Sequence, residues 1–176
     1  VFSEQGTSAS HLSAAKFLDA IARMPGNAGG DSDAVGAYTQ VVLADMPECK
    51  NVETRITLPR AHRPKEWDKY DDPVCLLRVN LYGHPLAGLF WEKYCARGLT
   101  KEGFEKCRGW ECLYMHREKQ LFLSVYVDDY KMAGKAENIQ PMWDRLGKVF
   151  DLEPSVPMHN TVYLGCKQSN IEIPPE

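Results

Sequence analysis

The run Leu121-Phe122-Leu123-Ser124-Val125-Tyr126-Val127 is built largely from strand-forming residues and ends on two adjacent carboxylates, Asp128 and Asp129. On its own, an Asp-Asp pair at the end of such a run is an ordinary turn element. It gains chemistry when another carboxylate reaches it, because phosphoryl transfer by two divalent ions roughly 3.5–4 Å apart draws its ligands from separate parts of a chain. Asp33 is the candidate second source. It heads the segment Asp33-Ala34-Val35-Gly36-Ala37-Tyr38, with an aromatic five positions on. Asp31 lies close by and acids before strands are common, so this segment is a weak signal by itself.

These groups can meet only if the intervening chain folds them together. Between Ser10 and Met24, Leu12, Ala15, Leu18, Ile21 and Ala22 recur at three- and four-residue steps, the pattern of an amphipathic helix stopped by Pro25-Gly26. Gly29-Gly30 is expected to redirect the chain, before a strand that starts at Ala34 and runs into a short helix by Leu43. Pro47, Pro59 and Pro64 mark loops as far as Pro73, with a short strand around Arg55 to Leu58. Pro73 to Leu81 leans to strand, and Leu86 to Arg97 reads as a helix ended by Gly98. Strands are expected from Trp110 to Met115 and from Gln120 to Val127 around a turn at Arg117-Glu118-Lys119. A third after Asp129 makes Asp128-Asp129 the tip of a tight hairpin. Ile139, Met142, Trp143, Leu146, Val149 and Phe150 mark another amphipathic helix, and Val162 to Cys166 with Ile171 to Ile173 a last hairpin. This order predicts an α+β fold with an antiparallel sheet.

The 176 residues suit one domain, and a chain of this size buries roughly 70% of its unfolded surface without a disulfide or metal staple. Apolar residues at 44% and charged residues at 26% exclude a disordered tail or a fibre. The net charge of −3 lacks the basic excess of a self-sufficient nucleic-acid binder, so any grip on nucleic acid must come partly from elsewhere. Cys107, Cys112 and His116 are the sharpest metal-ligand cluster, but their spacing fits no common zinc module and a fourth ligand is missing. The cysteines therefore read as reduced, structural residues of a cytosolic protein. No run approaches the ~18–20 apolar residues of a membrane span, and Val1 to Ser10 lacks the layout of a signal peptide. A start without methionine and an end on Ile173-Pro174-Pro175-Glu176 suggest a segment of a longer protein.

Three motifs then fall into a familiar order. Tyr126-Val127-Asp128-Asp129 resembles the aromatic-X-Asp-Asp signature of reverse transcriptases, and Asp33 with Tyr38 resembles their Asp-Val-X-X-Ala-Phe/Tyr motif. Between them, the segment from Leu81-Tyr82-Gly83 to Trp91 resembles the copia-type Leu-Tyr-Gly-Leu-Lys-Gln-Ala-Pro-Arg-X-Trp element. Lys16 stands where copia-type proteins carry a basic residue on their fingers helix, and Tyr163-Leu164-Gly165-Cys166 resembles the Leu-Gly element that supports the primer end. Without the resemblance, Lys16 is a solvated helix lysine and Leu164 a core residue. The resemblance covers nearly the whole chain. It implies a reverse-transcriptase-like palm, an antiparallel sheet backed by helices, with part of the fingers. Residues 1–176 would form one fingers/palm domain: about 1–30 a fingers helix, about 31–153 the palm, and about 154–176 the start of the primer-grip/thumb junction.

The same resemblance implies an RNA-directed DNA polymerase of a copia-type retrotransposon polyprotein. Asp33 and Asp128 would hold two Mg2+ ions, with Mn2+ as a substitute and Asp129 as a weaker partner. Ala34, Val35, Tyr38, Tyr82, Gly83 and Val127 would line the nucleotide site, with the Tyr38 ring excluding a 2′-hydroxyl; Lys16, Leu164 and Gly165 would meet primer or template. Tyr38 reads otherwise as a core tyrosine and Gly83 as a helix-start glycine. The implied partners are an RNA/DNA primer-template, deoxynucleoside triphosphates, an integrase upstream and an RNase H downstream, in the cytoplasm or in virus-like particles and with no membrane. Two departures stand out: Pro85-Leu86-Ala87-Gly88-Leu89 replaces Lys-Gln-Ala-Pro-Arg, removing basic residues where phosphates pass, and Asp33-Ala34 replaces Asp-Val. The alternative is a catalytically inactive remnant kept as a fold or protein-interaction module. A palm-like cyclase has no counterpart of the Leu81 to Trp91 segment.

Overall fold

The structure is a computed structural model that describes residues 12–49, 53–158, 161–167 and 169. Helix α1 (Leu12–Ala22) leads into β1 (Asn27–Asp33), and β2 (Arg55–Thr57) with β3 (Val74–Leu76) makes a separate two-stranded hairpin. Helix α2 (Ala87–Lys101) is followed by β4 (Glu105–Lys106), β5 (Leu113–His116), β6 (Leu121–Tyr126) and β7 (Asp129–Lys135). Then come α3 (Ala136–Leu146), β8 (Val156–Pro157), and the small hairpin of β9 (Val162–Tyr163) and β10 (Cys166–Lys167). Six strands pair antiparallel throughout in the order β4-β5-β6-β7-β1-β8. The fold is thus mixed α/β, with one principal antiparallel sheet.

Side-chain alternation along the central strands divides the core in two. Leu121, Leu123 and Val125 of β6 and Tyr130 and Met132 of β7 pack on one face with Phe90, Trp91 and Leu99 of α2 and Met142, Trp143 and Leu146 of α3. On the other face, Ala133 and Phe122 meet Ala14, Phe17, Leu18 and Ile21 of α1. Each fully buried aliphatic side chain contributes about 1.5–3 kcal/mol, so the two layers clamp β6 and β7 from both sides.

Several expectations need correction. The strand around the first acid precedes Asp33 instead of following it, and Gly29-Gly30 lies inside β1 instead of turning the chain. A Cβ on Gly29 would sit 2.6 Å from Met158 Cε and 2.9 Å from Ala22 Cβ, so the glycine is there for close packing. After Asp33 the chain makes a 3-10 turn, Ala37–Gln40, entered through Gly36 in the left-handed region. Helix α2 does not stop at Gly98 but runs to Lys101; Gly98 lets α2 approach Phe150, whose Cζ would lie 2.5 Å from an added Cβ. Cys112, with φ +54°, delays β5 to Leu113, beyond the expected start at Trp110. The last hairpin closes at Leu164-Gly165, so Val162 pairs with Lys167; Ile171 to Ile173, expected in that hairpin, lie outside the described residues, as does Ser10, the expected start of α1. The helix ended by Pro25-Gly26, the short strand near Arg55 and the turn between β5 and β6 match the expectations; the β6–β7 hairpin and α3 form as expected, but the hairpin turns at Val127-Asp128 with Asp129 already in β7, α3 ends at Leu146 short of Val149 and Phe150, and the strand expected from Pro73 to Leu81 is confined to β3.

One charged side chain is wholly enclosed. Lys131 of β7 is 0% exposed and its Nζ lies 3.1 Å from Asp19 Oδ1 on α1 and 3.3 Å from Asp31 Oδ1 on β1. Asp31 Oδ2 accepts a 2.7 Å bond from the Thr161 hydroxyl, and Nζ stands 4.9 Å from the Tyr163 ring centroid. Helix, two strands and terminal hairpin are thus joined at one cation. Removing one partner from a buried ion group leaves uncompensated charge and costs about 3–5 kcal/mol. Lys131→Met, which keeps most of the volume, is therefore expected to lower unfolding free energy in urea by that amount; a loss under about 1 kcal/mol would mean that the charges are solvated.

Candidate active site

The register of β1 on β7 places Asp33 directly opposite Asp129, and β7 on β6 places Asp129 opposite Tyr126. Val127 and Asp128 form the two-residue turn between those strands. Asp33 and Asp128 are exposed and Asp129 is half-buried. The Ala34 N–H donates to the Asp128 carbonyl at 2.7 Å, which ties the turn to the end of β1. Residues 151–153 hold the same end from the other side: Glu153 N–H donates to the Asp33 carbonyl at 2.8 Å, and Val35 N–H to that of Asp151 at 2.9 Å. Asp33, Asp128 and Asp129 are thereby brought to one end of the sheet.

Val127 has φ +54°, a region that β-branched residues avoid and that costs of order 1–3 kcal/mol. The indole N–H of Trp91 donates to the Val127 carbonyl, so α2 holds the strained peptide in place. Sequence reasoning quoted Trp91 only as the end of a motif; its role depends on a contact between distant segments.

The Asp129 carboxyl is pushed up from 3.8 to about 6, first by burial and then by the negative charges of Asp33 and Asp128, by a hydrogen bond with Asp33 and by Asp31. Among the described residues no Lys, Arg or His forms an ion pair with any of the three. Lys131, the cation two residues along β7, is committed to Asp19 and Asp31. An oxygen-only set of mutually repelling carboxylates suits a hard divalent cation such as Mg2+ or Mn2+. Among the described residues no three His, Cys, Asp or Glu side chains are already gathered about a common point fit for a metal.

Two aromatic residues flank the acids. The rings of Tyr38 and Tyr82 lie 4.4 Å apart at 41°, and the Tyr38 phenol is pushed up by burial, then by Tyr82, Asp128 and Tyr126. Tyr82 reaches this position because Asn80 N–H donates to the Val41 carbonyl at 2.8 Å and Leu43 N–H to that of Arg78 at 3.0 Å. Gly83 is exposed with φ +90° and no atom within 4 Å of an added Cβ, so its conformation requires glycine and its face is open. Ala34 is buried and Val35 exposed. The structure does not gather every expected residue here: Lys16 stands exposed on α1 and bonds to none of these groups, and Leu164-Gly165 forms the tip of the β9–β10 hairpin. Cys95 and Cys112 are pushed up by burial to about 12 and about 11, so both are protonated and inert near neutral pH.

No protein-family model matches the chain, and no curated protein matches its sequence. Among the described residues no helix is long and apolar enough to cross a membrane.

Trp91→Phe keeps the ring but leaves the Val127 carbonyl unpaired. The expected result is a loss of about 1–2 kcal/mol in urea unfolding, with faster amide exchange at Asp128 and Asp129; an unchanged turn would remove the clamp. Asp129 provides a pH test. Its folded-state value lies above the ordinary one, so its stabilising contribution is full below about pH 4 and is lost as pH rises through about 6. Moving a carboxyl from 3.8 to about 6 would be worth roughly 3 kcal/mol in a fully buried group; screening at this half-buried position reduces that to about 1 kcal/mol. Asp129→Asn should then be more stable than wild type by about 1 kcal/mol near pH 7.5 and equal to it near pH 4, in metal-free denaturation curves. A pH-independent difference would show that charge repulsion is not its cause.

Proposed function

We propose that the chain is the fingers-and-palm portion of an RNA-directed DNA polymerase of the copia type, and that Asp33, Asp128 and Asp129 are its catalytic carboxylates. The observation that carries this reading is the cross-strand pairing of Asp33 with Asp129, with Asp128 in the adjoining turn. It supports a common site for two motifs far apart in the sequence. In this reading the six-stranded sheet is a palm, α2 and α3 back it, and the β9–β10 hairpin with Leu164 and Gly165 begins the support of the primer end.

The reaction joins the primer 3′-oxygen to the α-phosphorus of a deoxynucleoside triphosphate and breaks its bond to pyrophosphate. Two Mg2+ ions held by Asp33 and Asp128 would supply acidity to the 3′-hydroxyl and neutralise charge on the phosphates. Asp129, whose carboxyl is pushed up to about 6, holds its proton longer than an ordinary carboxylic acid, which weakens it as an anionic ligand below that pH. Tyr38, next to Asp128 and in tilted contact with Tyr82, lies where a sugar would pass, and its ring would leave no room for a 2′-hydroxyl. Gly83 offers an open backbone face to a base or template. Trp91 and Ala34 hold the turn and spare the site the cost of ordering it during the reaction.

The second reading is an inactive remnant. It draws support from Pro85 and Leu89, which stand where the resemblance leads one to expect basic residues. Primer extension on an RNA template, with the chain extended by its native flanking sequence, separates the two. Activity is expected only with Mg2+ or Mn2+. Asp33→Asn and Asp128→Asn should each cost about 4 kcal/mol of transition-state stabilisation, roughly a thousandfold in rate, and Asp129→Asn less. An extended protein inactive with either metal would favour the remnant, and activity indifferent to Asp128→Asn would refute the site.

A further inference from the structure

The connection between β2 and β3, residues 58–73, contains the sequence Pro59-Arg60-Ala61-His62-Arg63-Pro64-Lys65-Glu66-Trp67-Asp68-Lys69-Tyr70. From Arg60 to Lys65 it carries three permanent cations, one histidine and no acid, in a chain whose net charge is −3. Its backbone repeats one unit. Pro59 (φ −53°, ψ 142°) and Pro64 (φ −57°, ψ 143°) each introduce a 3-10 turn, Arg60–His62 and Lys65–Trp67. Arg60 and Lys65 therefore occupy equivalent positions in successive turns.

The unit is closed by its own hydrogen bonds. His62 N–H donates to the Pro59 carbonyl and Trp67 N–H to that of Pro64, both at 2.9 Å, while Arg63 Nε donates to the Leu58 carbonyl at 2.8 Å. A segment already set in this way loses less entropy on binding than a free loop.

The cations also lack acidic partners. Lys93 and Arg97 pair with Glu48, Lys106 with Glu92 and Arg145 with Glu102, whereas Arg60, Arg63 and Lys65 form no salt bridge among the described residues. Arg60 and Lys65 are exposed. Beyond them lie two aromatic rings, Trp67 half-buried and Tyr70 56% exposed, with Lys69 Nζ 5.1 Å from the Tyr70 centroid. Glu66, Asp68, Asp71 and Asp72 follow Lys65, so the basic end and the aromatic end are distinct.

We propose that this connection is a sequence-independent contact for single-stranded nucleic acid, which grips phosphates with Arg60, Arg63 and Lys65 and stacks bases on Trp67 and Tyr70. Cations followed by an exposed Tyr70 and a half-buried Trp67 fit such a strand better than an acidic peptide, because bases present flat faces and carboxylates do not. The inference deepens the polymerase reading and rests on it only for the role of the strand, that of unpaired template beyond the site. From the connection, β3 and its continuation to Asn80 span up to roughly 23 Å at ~3.3 Å per residue, ending beside Tyr82. It also supplies basic residues that the segment from Pro85 to Leu89 lacks.

The test is fluorescence anisotropy of a labelled oligothymidylate on the full 176-residue chain at low salt, without divalent metal or triphosphate. Arg60→Gln/Lys65→Gln is expected to weaken binding about tenfold and to reduce the slope of log K against log salt by about 1.4, the share of two phosphate contacts on a single strand. Arg63 is left in place because its Nε bond shapes the loop, and an unchanged thermal melt confirms that the variant folds. Tyr70→Ala should weaken binding several-fold with the salt slope unchanged. Equal affinity and slope in the double variant overturn the proposal, as does displacement of the oligonucleotide by polyglutamate as readily as by unlabelled DNA. The readout needs no chemistry, so an inactive polymerase with a working strip still shows the loss, and the two readings fail separately.

Discussion

The register of β1 against β7 is the constraint on which the site depends. One buried group contributes heavily to it: Lys131, enclosed between Asp31 on the neighbouring strand and Asp19 on α1. Side chains two positions apart on a strand share a face, so pairing Asp31 with Lys131 also pairs Asp33 with Asp129. A slip of one residue would carry Asp33 to the other face relative to its partner and bury charge among the residues packed on α2 and α3. Apolar contacts alone would not choose this register sharply, because β1 is Asn-Ala-Gly-Gly-Asp-Ser-Asp and has little side chain to pack. A costly buried ion group is retained where it selects one alignment among several of similar packing energy.

The same strands show two treatments of negative charge. Asp31 is neutralised by Lys131 and hydrogen-bonded by the Thr161 hydroxyl, while Asp33, Asp128 and Asp129 are left facing one another. The strain at Val127 and the repulsion among the acids both raise the energy of this corner, and the Trp91 and Ala34 hydrogen bonds offset part of it. Such tension suits a site completed by a cation. It is poorly suited to a turn whose only duty is to reverse the chain, for which Asn-Gly would be relaxed.

Much of this was legible in the amino-acid order, and the exceptions have physical causes. The β6–β7 hairpin could be read locally, because its strand formers and turn residues agree with its tertiary role. The strand carrying Asp33 could not: Gly29 and Gly30 signal a turn in isolation, and only the close approach of Met158 and Ala22 makes them strand residues. Gly98 misled in the same manner, since Phe150 lies far along the chain. Asp33, Asp128 and Asp129 were expected to meet and do lie at one end of the sheet. Lys131 and Trp91 were missed as structural determinants, because a buried ion pair and a side-chain clamp across distant segments leave no local periodicity.

Charge distribution links the fold to the proposed activity. Three carboxylates, Asp33, Asp128 and Asp129, lie together where the proposed activity would bring polyanionic phosphates, and without bound cations such a site would repel them. A polymerase can resolve this conflict by separating the tasks in space, with divalent ions answering the carboxylates at the reacting phosphate and fixed cations holding the strand some distance away. The β2–β3 connection has the second character: its arginines and lysine are free of acidic partners, and its proline-led turns set them before any strand arrives. Such a division makes binding strongly salt-dependent and chemistry strongly metal-dependent, as expected when the grip and the reaction rest on different residues.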